Sequence, residues 1–292
     1  MNISKIQELC KLYGFVPSKQ YGQNYLINDG IVEKIVKAAN LQSTDTVIEI
    51  GPGFGVLTFA LAQRAKKVIA FEIEKKLTEY WEENKLSNLE IIFGDALKNL
   101  RSYVIHHTSY KVVANIPYQI TSQILRTILE LPNKPSLIVV MVQKEVAQRI
   151  CAKPPDMSLL ALSVQYYGRP EIVDIVTRGN FWPAPKVDSA ILRVRLNPPN
   201  PTPNPPLVGE GVAHSNSSPY EGEVQEGVFF KFAKAGFAQK RKQLWRNLAE
   251  GLKLDKDKVK AVLNEVVGNE KVRAEELGVE EWGKIISNFK FT

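Results

Sequence analysis

The chain is short of the residues that build covalent or metal frameworks. It has two cysteines, Cys10 and Cys151, and three histidines in 292 residues. Two thiols without a C-x-x-C spacing exclude a disulfide scaffold and match no zinc-ligand pattern. Both are expected as core or surface thiols, and His106 and His107 as loop residues with no metal constellation around them. Long apolar runs are missing as well: none approaches the ~20 residues of a membrane span. The segment "MNISKIQELCKLYGF" carries polar and charged residues throughout and lacks the apolar centre of a secretory signal. A reducing, cytoplasmic setting is expected, with no membrane and no metal. Charge of one sign is only in moderate excess, 38 Lys and Arg against 31 Asp and Glu. Such an excess points to a polyanion partner only where it is clustered. There is no internal repeat.

What is present is enough apolar material, 44% against 24% charged, for a sizeable core. From Thr46 to about Leu196, short apolar runs alternate with helical patterns. "TVIEI", "KKVIAFE", "LEIIFGD", "KVVAN" and "SLIVVMVQ" read as strands, and "LTFALAQRA", "EKKLTEYWEEN", "SQILRTILELP" and "KEVAQRI" as the helices between them. This alternation predicts an α/β fold with right-handed crossovers and a mostly parallel sheet. "EIVDIV" and "KVDSAILRVRL" follow "LLALSVQYYG" as two further strands, bringing the total to seven, and suit an antiparallel hairpin at the sheet edge. The domain so defined covers residues 1–196. Composition then breaks: the stretch 197–227 holds seven of the 17 prolines and few large apolar residues, and reads as an extended linker. Residues 228–292 return to helical spacing, with Phe229, Phe232, Ala233, Phe237, Leu244 and Leu248 on one stripe, and form a small α-helical domain.

The first strand runs into "VIEIGPGFGVLTFALA", with glycines at 51, 53 and 55 between strand and helix. Glycine lets the backbone turn sharply and lets a ligand approach it, and ligands of open parallel sheets sit at the strand ends. The dinucleotide fingerprint requires a further glycine where Val56 stands. Glu49 opposes a pyrophosphate by charge and favours a cationic ligand; S-adenosylmethionine, with a sulfonium, an ammonium and no phosphate, meets that requirement. Glu72 closes the second strand, where an acid accepts hydrogen bonds from ribose hydroxyls. Asp95 follows the third and could accept from an exocyclic adenine amine. Alone it is equally an N-cap for the helix after it.

The fourth strand ends in Asn115, Ile116, Pro117 and Tyr118. If it lies beside the first strand, these residues border the cofactor's reactive end. An adenine amine is a poor nucleophile because its lone pair is delocalised into the ring. Two oxygens accepting from its N–H bonds would hold it pyramidal: the Asn115 side-chain carbonyl, and the Ile116 backbone carbonyl, whose geometry Pro117 restricts. Orientation and charge placement of this kind lower a barrier without a titrating base. The Tyr118 ring would stack on a base lifted from its own stack. In "NFWPAPKVDSAILRV", Phe181 could close on the base from the opposite side, with core packing of Phe181 or Trp182 as the alternative.

Together, "SKQYGQNYLIND", "VIEIGPGFGVLT", "FEIEKKL", "FGDAL", "ANIPYQITSQIL", "MVQKEVAQRI", "FWPAPKVDSAILRV" and "FAQKRKQLWRNL" resemble the rRNA adenine N6,N6-dimethyltransferase family, in particular its bacterial small-subunit type. The resemblance covers most of the chain. It implies a Rossmann-like class I S-adenosylmethionine-dependent methyltransferase domain, with N-terminal lid and helices in 1–45. Gln23, Asn24 and Leu26 would then form the cofactor lid, and Gly51, Glu72, Asp95 and Asn115 match the family's other cofactor contacts, beside Glu49 and Gly53 as read above from charge and the glycine loop. Tyr25 stands where the family often has phenylalanine, and the proline-rich insert replaces a short connection. The implied substrate is a pair of adjacent adenines in a hairpin near the 3′ end of small-subunit rRNA, dimethylated during ribosome assembly. Lys240, Arg241, Lys242 and Arg246, on a helix with Phe237 and Trp245 nearby, would meet RNA phosphates. The enzyme is expected as a monomer. Three rival readings remain open at this point: a large-subunit rRNA methyltransferase of the antibiotic-resistance type, a non-catalytic RNA- or DNA-binding relative, and a nicotinamide-dependent oxidoreductase.

Overall fold

The structure is a computed structural model and describes residues 1–18, 22–104, 109–197 and 219–289, the side chains of 219–226 excepted. His106 and His107 lie outside the described residues, as does most of the expected linker.

The chain divides into two compact units, Met1–Gln148 with Gly168–Leu196, and Arg149–Tyr167 with Asn197–Thr292. In the first, α1 (Ile3–Leu12), the two-residue β1 (Tyr25–Leu26) and α2 (Asp29–Ala39) lead into β2 (Thr46–Ile50), α3 (Thr58–Ala62), β3 (Lys67–Glu72), α4 (Thr78–Glu83), β4 (Leu89–Phe93) and α5 (Ala96–Val104). Then come β5 (Lys111–Asn115), α6 (Thr121–Leu129), β6 (Leu137–Gln143) and α7 (Lys144–Ile150). After α8 (Leu159–Tyr167), β7 (Gly168–Val176), β8 (Phe181–Trp182) and β9 (Ser189–Leu196) complete the unit. The main sheet has seven strands in the order β4-β3-β2-β5-β6-β9-β7. The five expected strands pair in parallel and the last two form the antiparallel edge hairpin.

The central strands β2, β3, β5 and β6 are apolar on both sides because both of their faces are covered. Val47, Val68, Val113, Val139 and Met141 share a core with Ile35 and Val36 of α2 and Leu61 of α3. On the other face, Phe71 meets Tyr103 of α5 edge to face, with ring centres 5.4 Å apart. At the start of β5, the Lys111 ammonium donates to the Asp45 carboxylate (2.7 Å) and to the Asn40 carbonyl (2.8 Å), tying β5 to the loop before β2.

The second unit holds α8, α9 (Pro219–Gly236), α10 (Leu244–Leu252), α11 (Lys256–Val267) and α12 (Val279–Ser287). Two boundaries differ from expectation. Helix α9 begins at Pro219, within the segment assigned to the linker. Residues Arg149–Tyr167, expected in the first domain, cluster with the helical unit. The reason is apolar: Met157, Ala161 and Leu162 bury against the same core as Phe229, Phe232, Leu248, Leu263 and Trp282. At the α9–α10 corner, the buried Asn247 amide donates to the carbonyls of Gly236 (2.6 Å) and Gln239 (3.0 Å). No helix among the described residues is long and apolar enough to cross a membrane.

Candidate active site

The strand order reverses beside β2: the chain winds from β2 outward through β3 to β4, then returns to place β5 on the other side of β2. A crevice opens at such a point because the flanking connections leave in opposite directions. The register shows it. The β2–β5 ladder is formed by Val47 with Lys111 and Ile48 with Val112. Glu49 and Ile50 continue to pair with β3, and Asn115 with β6. Glu49 and Asn115 thus stand on opposite lips of the split.

A cleft of about 250 Å³ fills it, lined by the glycine loop, by Glu49, Glu72 and Asp95, and by Asn115 to Ile120. Pro117 Cδ lies 4.0 Å from where a Cβ on Gly51 would sit. Gly51 and Gly53 have φ of 73° and 55°, the left-handed region where a side chain is strained. A Cβ on Gly53 would also come within 2.6 Å of the Tyr25 ring. The loop is therefore glycine for two reasons, conformation and the ring over it.

Each acid has a distinct environment. Glu49 is 1% exposed, and its Oε2 is buried without a partner. Burial raises its pKa to about 8, with Glu72 adding to the rise and the neighbouring Thr58 hydroxyl opposing it. Glu72, also buried, accepts from the backbone N–H of Gly53 (3.0 Å) on one oxygen and of Glu74 (2.8 Å) on the other. Burial pushes its pKa up while those amides resist. Asp95 accepts from the Leu97 N–H at 2.9 Å, so it is the cap of α5, and it lines the cleft as well. Ile73 and Leu97, which lie within "FEIEKKL" and "FGDAL" but are not among the expected site residues, flank the acids in the cleft wall. Ile73 is 53% exposed, a large apolar side chain held in the open beside a strand-end acid; that adjacency was the available signal.

The segment 22–26 covers the same cleft. Asn115 Nδ2 donates to the Asn24 backbone carbonyl at 3.0 Å, and Asn115 lines the cleft. Asn24 in turn donates to the Gly22 carbonyl (2.9 Å), and Gln23 accepts from the Ser18 N–H (2.7 Å). Gly22, at φ 60°, has the Gln119 amide within 1.8 Å of where a Cβ would stand. Leu26 lines the cleft while its side chain is buried. After the strand, Pro117 closes a turn with its own carbonyl, accepting from the Ile120 N–H (3.2 Å) and the Thr121 hydroxyl (3.4 Å). Tyr118 projects from that turn into the cleft lining, and its hydroxyl hydrogen-bonds the Ser189 hydroxyl.

Two expectations are corrected. Phe181 is not in the cleft wall: it is 2% exposed and sits in the core with Leu26, Ile31 and Val176. Its backbone pairs with Leu26 in a two-stranded sheet, β1 with β8, and its ring turns inward to the core; Trp182 packs on the neighbouring aromatic cluster. Lys240, Arg241 and Lys242 lie in the turn between α9 and α10, not on a helix; only Arg246 is helical. Gly236 ends α9 against Trp282, where a Cβ would meet that ring at 2.3 Å. Arg241, Lys242 and Arg246 share a polar groove with Lys271 and Arg273, which come from the α11–α12 connection and have no sequence proximity to betray them.

A glycine loop at the switch point, an acid at each of three successive strand ends, and an Asn-Ile-Pro-Tyr tip on the facing strand define an S-adenosylmethionine-dependent methyltransferase. The lining suits that cofactor chemically: an unpartnered carboxyl oxygen for a cationic group, two carboxylate oxygens for ribose hydroxyls, and apolar side chains for a purine face. The family model described as "Ribosomal RNA adenine dimethylase" matches residues 15–206, and the chain belongs to that family. It is 43% identical over 283 residues to a protein of Dehalococcoides mccartyi named ribosomal RNA small subunit methyltransferase A, covering 96% of this chain and 91% of that one. It is 37% identical to a protein of the same name from Fusobacterium nucleatum, covering 94% and 98%. Among solved structures, the 23S rRNA methyltransferase ErmE is similar at a TM-score of 0.68 and 26% identity, covering 91% of this chain and 99% of that chain. A dimethyladenosine transferase from Plasmodium falciparum is similar at 0.66 and 26%, covering 89% and 95%.

Proposed function

We propose that this enzyme transfers methyl groups from S-adenosylmethionine to N6 of two adjacent adenines in a hairpin near the 3′ end of small-subunit rRNA, dimethylating both during assembly of the small subunit in the cytoplasm. The observation that carries the reading is Asn115, across the split from the glycine loop, with its amide nitrogen engaged by Asn24.

When bound, S-adenosylmethionine supplies an electrophilic methyl group. Gln23, Asn24, Leu26, Glu49, Gly51, Gly53, Glu72 and Asp95 would hold it, and Ile73 and Leu97 would add apolar surface for its purine. The Asn115 amide oxygen and the Ile116 carbonyl accept from the N–H bonds of the target amine and aim its lone pair. Pro117 restricts the backbone between them and Tyr118 stacks on the everted base. No side chain is required to remove the proton before transfer. The second unit acts on the same RNA: Lys240, Arg241, Lys242 and Arg246, joined by Lys271 and Arg273, meet phosphates. The enzyme acts as a monomer and takes no metal.

The test is transfer of tritium from labelled S-adenosylmethionine to under-methylated small subunits. Incorporation is expected for the wild type and none above background for Asn115→Ala. Label entering large-subunit rRNA instead would replace this reading with the resistance-type enzyme. Cofactor binding without methylation of any RNA would replace it with a non-catalytic relative.

A further inference from the structure

Strand β9 opens with a hydroxyl where its neighbours are apolar. Ser189 is 0% exposed, followed in the strand by Ala190, Ile191 and Leu192, all buried. A hydroxyl removed from water without a partner is costly, and alanine would fill this space more cheaply. Its partner is the Tyr118 hydroxyl, at 2.5 Å, 71 positions away in the chain. Ser189 itself is immobile. It pairs with Gln143 of β6 on one side and Val176 of β7 on the other. The residue before it is pinned too: the Asp188 carbonyl accepts from the Lys144 N–H (3.0 Å) and its carboxylate from the Arg178 N–H (3.0 Å).

Tyr118 is consequently held at both ends. Its backbone belongs to the turn closed on the Pro117 carbonyl, and its phenol is tethered to the sheet. Burial pushes the phenol's pKa up, so the ring carries a neutral hydroxyl able to share this bond. A ring held at backbone and tip is restrained about its side-chain torsions, which reduces the ordering that a stacked base would demand.

We propose that Ser189 is a positioning residue for the methyl transfer, acting through its hydrogen bond to Tyr118 to set the ring as a rigid stacking wall for the target adenine. This rests on Tyr118 stacking on the base in the proposed function, but not on which rRNA supplies the adenine.

The test compares Ser189→Ala, Tyr118→Phe and the double variant on the RNA that the wild type methylates, so a different natural substrate would leave the comparison intact. Each single variant is expected to lower kcat about tenfold, within the range that a displaced reactant can cost. The double variant is expected to be no slower than either single one, because both remove the same bond. The Kd for S-adenosylmethionine, measured by calorimetry, stays at the wild-type value and reports that Ser189→Ala is folded. A second readout uses RNA with 2-aminopurine at the target position: its fluorescence in the complex is quenched by the fixed ring in the wild type and brighter with Ser189→Ala. The proposal stands only if kcat, the double variant, cofactor affinity and fluorescence all behave in this way. Additive losses, a loss of cofactor affinity parallel to kcat, or unchanged fluorescence would show Ser189 to be an ordinary core residue.

Discussion

Glu49 is a carboxyl group that folding places where its charge is disfavoured. Its pKa is about 8 in the folded chain against an ordinary 4.5, chiefly through burial. A folded-state pKa above the unfolded one means that the native state binds more protons between those values, so its stability falls as pH rises through that window. The cofactor-free wild type is therefore expected to lose melting temperature from about pH 5 to pH 8. Glu49→Gln, which cannot ionise, is expected to flatten that slope; parallel melts of the two across the window would refute the assignment. Glu72, raised in the same direction, contributes a slope of the same sign that remains in the variant. Gly53 is the other residue whose replacement has a readable outcome. Alanine there would meet both a left-handed φ and the Tyr25 ring. Such strain costs on the order of 1–3 kcal/mol, and because Gly53 and the Tyr25 ring both line the cleft, Gly53→Ala is expected to weaken cofactor binding about tenfold or more by calorimetry.

At the scale of elements, the β1–β8 pair is what gives the lid its position. Leu26 pairs with Phe181, and both side chains are buried in one core. Phe181→Ala is expected to destabilise the fold by about 3–5 kcal/mol, as removal of a buried aromatic ring does, seen as a lower urea midpoint. Phe181→Leu keeps apolar volume and is expected to retain most methyl transfer. A folded Phe181→Leu enzyme with kcat down a hundredfold would instead return the ring to the base-stacking role that the sequence suggested. The reason this element is not legible in the sequence is its length. Two residues carry no periodicity, so the pairing of Tyr25 and Leu26 with Trp182 and Phe181 has no local signature. The long strands were legible because covered sheet faces make continuous apolar runs, which composition displays directly. The turn after Gly236 resembles helix in the sequence for a related reason: apolar spacing continues from Phe232 to Phe237 although α9 ends at Gly236.

For the whole molecule, the formal charge of +7 becomes informative once it is located. Arg241, Lys242 and Arg246 gather with Lys271 and Arg273 around one groove of the helical unit. Some of that charge is already engaged, as in the Lys242 pair with Glu250 at 3.3 Å. Removing one cation that pairs with a phosphate should make the dependence of log affinity on log salt shallower by about 1. Lys271→Gln with Arg273→Gln is therefore expected to weaken RNA binding and, at about 1 per cation, to lower the salt slope by about 2, with cofactor affinity unchanged. An unaltered slope would remove these two residues from the RNA surface.

The amino-acid order by itself determined which runs become the long strands, the glycine loop, the three strand-end acids and the Asn-Ile-Pro-Tyr tip, because each of these is written in residues adjacent along the chain. Tertiary structure alone decided which way the Phe181 ring turns, that Lys271 and Arg273 stand beside Arg241, that Arg149–Tyr167 joins the helical core, and that Ser189 holds Tyr118. These arrangements join residues far apart in sequence. Burial and hydrogen-bond satisfaction within each unit select them, and neither can be read from residues adjacent along the chain.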